Sequence, residues 1–207
     1  MKKKKIIIPI VIVLAIALIV ALGYFTMLKI EKIKVESAIE EMFSNLKSSE
    51  DNEEKAAVIE EIKDNTEGED TEDKIDYTVL FSKVDYSIVK DEVNFKEATV
   101  ILDITNKNMK TVLGKYLVKV FQLAFANAFT STYTDEELNE QLASYLKEQI
   151  ESDEIENVTN QVTLKMEKQD GKWTVKEESR EEFINAVLPG FSDAINEISD
   201  SFNGISE

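Results

Sequence analysis

Residues 162–176 read Val-Thr-Leu-Lys-Met-Glu-Lys-Gln-Asp-Gly-Lys-Trp-Thr-Val-Lys, and this stretch decides the fold. Val162, Leu164 and Met166 alternate with Thr163, Lys165 and Glu167, the period of a strand with one buried face. Asp170-Gly171 is a dipeptide that twisted hairpin turns prefer, because both central residues need positive φ. Lys172-Trp173-Thr174-Val175-Lys176 alternates again on the return. An antiparallel hairpin is therefore expected here.

A second pair lies upstream. Val84, Tyr86 and Ile88 alternate with Lys83, Asp85 and Ser87. Ala98, Val100, Leu102 and Ile104 alternate with Thr99, Asp103 and Thr105. The Asp91 to Phe95 connection would join them as a hairpin, making about four strands in all.

Helical patterns surround the strands. Ile30, Ile33, Ile39, Met42, Phe43 and Leu46 recur near helical spacing. A shorter helix is expected over 53–63, with Ala56, Ile59 and Ile62 on one side. Asn108 to Phe129 carries a broad apolar surface broken by Lys115, Lys119, Gln122 and Asn127, which reads as a central core helix. Thr134-Asp-Glu-Glu137 forms a capping box that opens a helix to about Ile150. Ser179-Arg-Glu-Glu182 offers a second box before Phe183, Ala186 and Val187. Pro189-Gly190 breaks that helix, and Phe191, Ala194, Ile195, Ile198 and Phe202 continue amphipathically. Helices that precede and interrupt an antiparallel sheet define an α+β class, with the sheet packed on several helices.

The amino end is a different object. Lys2 to Lys5 are followed by Ile6 to Leu28, 23 residues without a charge. As a helix this run is about 34 Å long, enough for a hydrocarbon core of about 30 Å. Residues 1–28 therefore read as a signal anchor, a transmembrane helix lined by positions such as Ile6, Leu14, Leu18, Leu22 and Leu28. The alternative is a secretory signal cleaved after Gly23, at Ala21-Leu22-Gly23. Residues 29–35 would be a juxtamembrane stalk and 36–207 the domain. The four amino-terminal lysines favour that end inside, leaving the domain outside the cell membrane.

Composition narrows the chemistry. The chain has 207 residues, a formal net charge of −17, and neither His nor Cys. All 41 acidic residues lie beyond residue 28, where the net charge is −21. No imidazole base, thiolate nucleophile, disulfide or lipid-bearing cysteine is available. Nucleic acid is disfavoured, since phosphate binding needs clustered Lys and Arg, and the one arginine is Arg180. No cofactor or metal is expected. Glu67, Glu69, Asp70, Glu72 and Asp73 form the densest acidic run, but their spacing does not match a calcium loop, and a solvated linker is the simpler reading.

The strand that ends in Lys168-Gln-Asp-Gly-Lys-Trp173, with its alternating return, resembles the closing hairpin of nuclear-transport-factor-2-like (cystatin-like) domains. The Phe95 to Thr105 strand, with Ala98-Thr-Val100, is similar to the companion strand of those domains. Gram-positive bacteria make many small outward-facing proteins with this pattern. The resemblance spans about Glu36 to Ser199. This chain departs from it in its long paired helices between the hairpins and in lacking the lipobox cysteine. The resemblance implies a sheet that curls around helices and carries no catalytic residue over to this sequence.

Such folds often enclose a pocket. Tyr86, Tyr116, Phe125 and Trp173 are candidates to line one for a small apolar ligand, or simply to fill the core. The expected function is a non-enzymatic, membrane-anchored module. It would contact the bilayer through 6–28 and bind a protein, a cell-wall component or a small ligand, or serve as a structural partner. The alternatives are a secreted ligand-binding protein and an enzyme using carboxylates or Tyr.

Overall fold

Alternation and turn chemistry produce two hairpins that join into one sheet. The computed structural model describes residues 4–48, 59 and 77–203, with the side chains of the first helix described from Ile16 onward. The strands are β1 (Asp85–Val93), β2 (Glu97–Lys107), β3 (Asn157–Gln169) and β4 (Lys172–Val175). They pair antiparallel in the order β1-β2-β3-β4.

Asp170 and Gly171 both take positive φ, at 49° and 85°, between the paired Gln169 and Lys172. Mirror-type turns of this kind match the twist of the flanking strands. The other connection is tighter than expected. β1 runs on to Val93, and the turn shrinks to residues 94–96, where Asn94 Oδ1 accepts the N–H groups of Lys96 and Glu97. β3 also starts earlier than its apolar alternation. Its polar first half is paired across the sheet, with Thr105 and Thr159 hydroxyls 2.7 Å apart and Gln161 donating to Asp103.

A bulge at Val89 interrupts β1 between Ile88 and Lys90. One extra residue reverses which side chains face which way. Tyr86 and Ile88 face the helices before it, and Asp91 and Val93 do so after it.

One face of the sheet is buried through Val100, Leu102, Ile104, Val162, Leu164 and Met166. The opposite face carries Thr99, Asp103, Thr105, Thr163 and Lys165 and meets solvent, as antiparallel sheets commonly allow. Among the described residues, the helices that accompany the sheet are α1 (Lys4–Lys47), α2 (Met109–Thr130), α3 (Asp135–Glu151), α4 (Arg180–Val187) and α5 (Phe191–Asn203). The result is a mixed α+β fold. The helix expected over 53–63 and the acidic run from Glu67 to Asp73 lie outside the described residues, Ile59 excepted.

α1 joins two segments that the sequence separates. The uncharged run and the Ile30–Leu46 helix are one unbroken element, so residues 29–35 continue the helix. The buried face is Val35, Ile39, Met42, Phe43 and Leu46, whereas Ile30 and Ile33 are exposed. Val35, Ile39, Met42 and Leu46 recur at spacings of four, three and four, which fits helical periodicity. Extended one step back, this stripe reaches Glu31, which is buried too.

Among the described residues no helix is long and apolar enough to cross a membrane. From Ile16, where side-chain description begins, the uncharged run lasts only to Leu28, about 20 Å of helix at 1.5 Å per residue. A hydrocarbon core of about 30 Å needs more than that.

α2 corrects an expectation. It buries Met109, Val112 and Leu123, while Val118, Phe121, Phe125 and Phe129 are exposed. Its first two turns pack on the core through Met109, Val112, Leu113 and Tyr116, and beyond them Leu123 alone is buried, so it is not a central core helix. Two caps also differ in outcome. Thr134 and Glu137 form the expected box reciprocally. Ser179 makes no cap bond and instead accepts from the Lys165 N–H of β3, just beyond the end of β4. The hydroxyl fills a ladder position that the short strand leaves open.

The Pro189-Gly190 break is a docking point. Pro189 carbonyl accepts the Met109 N–H at the start of α2, and Gly190 has φ 78°. A Cβ on Gly190 would sit 3.1 Å from Lys110 Cβ, so this position needs glycine twice over.

Candidate functional site

The most concentrated chemistry among the described residues lies where α1 crosses the sheet. Glu31 is buried there and receives three donors. Lys168 Nζ on β3 donates at 2.6 Å, Lys34 Nζ at 2.9 Å, and the Trp173 indole N–H on β4 at 3.2 Å. Lys168 also approaches the Trp173 ring, 5.9 Å from its centroid. The hydrogen bonds from Lys168 and Lys34 outweigh the cost of burial and hold the Glu31 pKa down at about 2.

At the next residue, Lys32 Nζ donates to Asp91 Oδ1 at 2.8 Å. This bond and the Asp91 charge raise the Lys32 pKa. Asp91 reaches α1 only because the Val89 bulge turns it to that face. Its second oxygen, Oδ2, is buried and has no hydrogen-bond partner among the described residues. Three strands of the sheet thus grip two consecutive residues of one helix.

The arrangement says what this carboxylate does. A general acid or base works best with a pKa near the operating pH. Glu31 is an anion at every physiological pH, and its lone pairs are occupied by fixed donors. It acts as a pin between helix and sheet. Opposite charges buried together hold a register when every partner is satisfied.

The residues expected to line a pocket fall on different elements. Tyr86 is stacked on Phe43, with ring centroids 4.1 Å apart and planes 8° apart, and Phe183 meets Phe43 edge-on. Burial and the nearby charges of Glu40 and Asp85 raise the Tyr86 pKa. Trp173 is buried and engaged with Glu31. Tyr116 is half-buried against the core from α2. Phe125 is 65% exposed on the outer side of the same helix.

Of the anchor positions, Leu18 and Leu22 are exposed and Leu28 is half-buried; the side chains of Ile6 and Leu14 lie outside those described. Ile16, Ile19, Val20, Phe25 and Met27 are likewise uncovered. Tyr24 meets Phe95 of the β1–β2 turn edge-on, with centroids 5.3 Å apart.

Sequence reasoning missed Glu31, Lys168 and Asp91. Glu31 was detectable, since it continues the buried stripe of α1. Lys168 and Asp91 lie 137 and 59 residues from their partners and carried no local signal.

No family model and no curated protein matches the chain, so the family resemblance rests on its hairpin motif. Among solved structures, the chain is similar to a Bacillus subtilis protein assigned as a lipoprotein (YcdA), at 15% identity and a TM-score of 0.40. The match covers 65% of this chain and 39% of that one. At that score the likeness carries no argument about role.

Proposed function

We propose that this chain is a single-pass, membrane-anchored binding or structural module that catalyses no reaction. Its amino terminus lies inside, and a nuclear-transport-factor-2-like domain is held outside the cell membrane. The observation that carries the reading is the bare apolar surface of α1. From Ile16 to Met27 large hydrophobic side chains stand uncovered on the same helix that packs into the domain from Glu31 onward. A contiguous apolar surface of this kind needs a lipid or protein cover. The lysine-rich start and the uncharged run back to Ile6 favour lipid and the stated orientation.

The non-catalytic reading is supported by the absence of His and Cys and by the spectator character of Glu31. Tyr86 and Trp173, spent on packing and on Glu31, support a partner that meets the domain's surface. The open polar face of the sheet suits a protein or cell-wall partner.

Protease added to intact cells tests the topology. The domain from Ile30 onward should be digested while a short amino-terminal fragment stays with the membrane. Full protection of the domain would overturn the outside placement.

A second reading has its own support. Tyr24 is where described contact with the domain begins, so cleavage after Gly23 would release a secreted protein with its contacts intact. Sequencing the mature amino terminus separates the two: Met1 retained supports the anchor, and Tyr24 first supports the secreted form.

A further inference from the structure

We infer that the hairpin end of the sheet rests on the bilayer surface, with Phe95 in the interface and lysines against anionic headgroups. The inference builds on the anchor reading above. Both sheet turns lie at one end of the molecule. Glu97 at the start of β2 is paired with Glu167 near the end of β3, and the Lys168 N–H donates to the Lys96 carbonyl at 2.9 Å. The 94–96 turn and the Asp170-Gly171 turn are therefore neighbours, with an open hollow lined by Phe95, Lys96, Glu167 and Lys168 among others between them.

Tyr24 fixes the height of this end. Its ring meets Phe95, yet Tyr24 lies four residues inside the uncharged run, about 6 Å back along the helix axis from Leu28. A run of about 34 Å centred on a core of about 30 Å leaves Tyr24 near the hydrocarbon boundary. Phe95, which touches it, is at the same depth. The Glu31 and Asp91 contacts fix the sheet to α1 just beyond, so the turn cannot be carried away on a loose stalk.

The side chains suit that position. Phe95 remains 38% exposed although it touches Tyr24. Aromatic rings collect at this level of the bilayer. Lys96 adjoins Phe95 in the turn, Lys172 follows the neighbouring Asp170-Gly171 turn, and Lys29 lies five residues beyond Tyr24 on α1; each is exposed and without an ion-pair partner among the described residues. Lysines near an anionic leaflet are attracted to it, and these three outnumber Glu167 and Asp170, the acidic residues of the same end that have no ion-pair partner among the described residues.

The chain has no cysteine, so a single introduced one is a unique label. Full-length Lys96→Cys and Asn157→Cys, at opposite ends of β2 and β3, are labelled with a small fluorophore and reconstituted in phosphatidylglycerol–phosphatidylcholine vesicles. Lipids brominated near the headgroup serve as quenchers. The expected result is loss of fluorescence at position 96 and none at 157, weakened by Lys172→Glu and restored towards the 157 level in Phe95→Ser. Equal quenching at both positions, or none at either, overturns the inference. Alkaline extraction of the same vesicles tests the anchor separately. A protein that stays in the pellet with position 96 unquenched has an anchor but no docked tip. A protein that washes off removes the anchor reading itself.

Discussion

α1 and α2 are both long and rich in large apolar side chains, yet the fold treats them differently. The second half of α1 buries Val35, Ile39, Met42, Phe43 and Leu46 under the sheet. α2 leaves Val118, Phe121, Phe125 and Phe129 exposed and is covered mainly over its first two turns. Apolar content does not decide burial; a facing partner does. α1 has that partner because Glu31 and Lys32 lock it to three strands. α2 packs on α3 and α5, which leave its outer side open.

The widest test of this contrast is a pair of truncations. Phe43→Ala should lower the unfolding free energy by about 3–5 kcal/mol, as deletion of a buried aromatic ring does. Phe125→Ala should change it by no more than about 0.5 kcal/mol, as an exposed position does. Urea unfolding of the detergent-solubilised chain reads both, and equal losses would break the comparison.

The pin on α1 comes next. Glu31→Ala should cost about 1–3 kcal/mol, because the Trp173 N–H and Lys168 ammonium lose their acceptor. Lys34, half-exposed at the same carboxylate, should matter far less: Lys34→Ala is expected within about 0.5 kcal/mol, and a larger loss would make it part of the pin.

Glu31 also sets a pH dependence. Its folded pKa of about 2 lies below the ordinary carboxyl value of 4.5. The folded state therefore binds the proton less readily than the unfolded state. Its contribution to stability is present above pH 4.5 and drains away as the pH falls towards 2. Unfolding followed between pH 5 and 2 should show a flatter slope in Glu31→Gln than in the parent. An unchanged slope would mean that other carboxylates carry the acid sensitivity.

A modest loss is expected in α3, which packs on α2. Thr134→Ala removes the capping box of α3 and should cost about 1 kcal/mol, read by thermal unfolding.

These contrasts show where the sequence was readable. Local chemistry was legible: the Asp170-Gly171 turn, the Thr134 box and the alternating strands all appear where their residue types place them. Competition between local and tertiary bonds was not. Ser179 had the spacing of a cap, but a vacant N–H on β3 took its hydroxyl. The apolar pattern of α2 records how much hydrophobic surface exists and is silent on what covers it. Of the candidate pocket, Tyr86 and Trp173 are engaged by Phe43 and Glu31, which come from α1 and are distant in sequence, so no local pattern announces those contacts. The bulge at Val89, which brings Asp91 to face Lys32, has no signature in composition at all.

α1 is one uninterrupted helix. Between Gly23 and Lys47 it contains neither glycine nor proline, and it enters the domain without a break. A flexible tether would let a domain tumble independently of the helix that precedes it. A stiff axle does the opposite. Any rotation or tilt of the amino-terminal helix is handed to the sheet through Glu31 and Lys32 with little slack, so the direction the open face points is set at the helix.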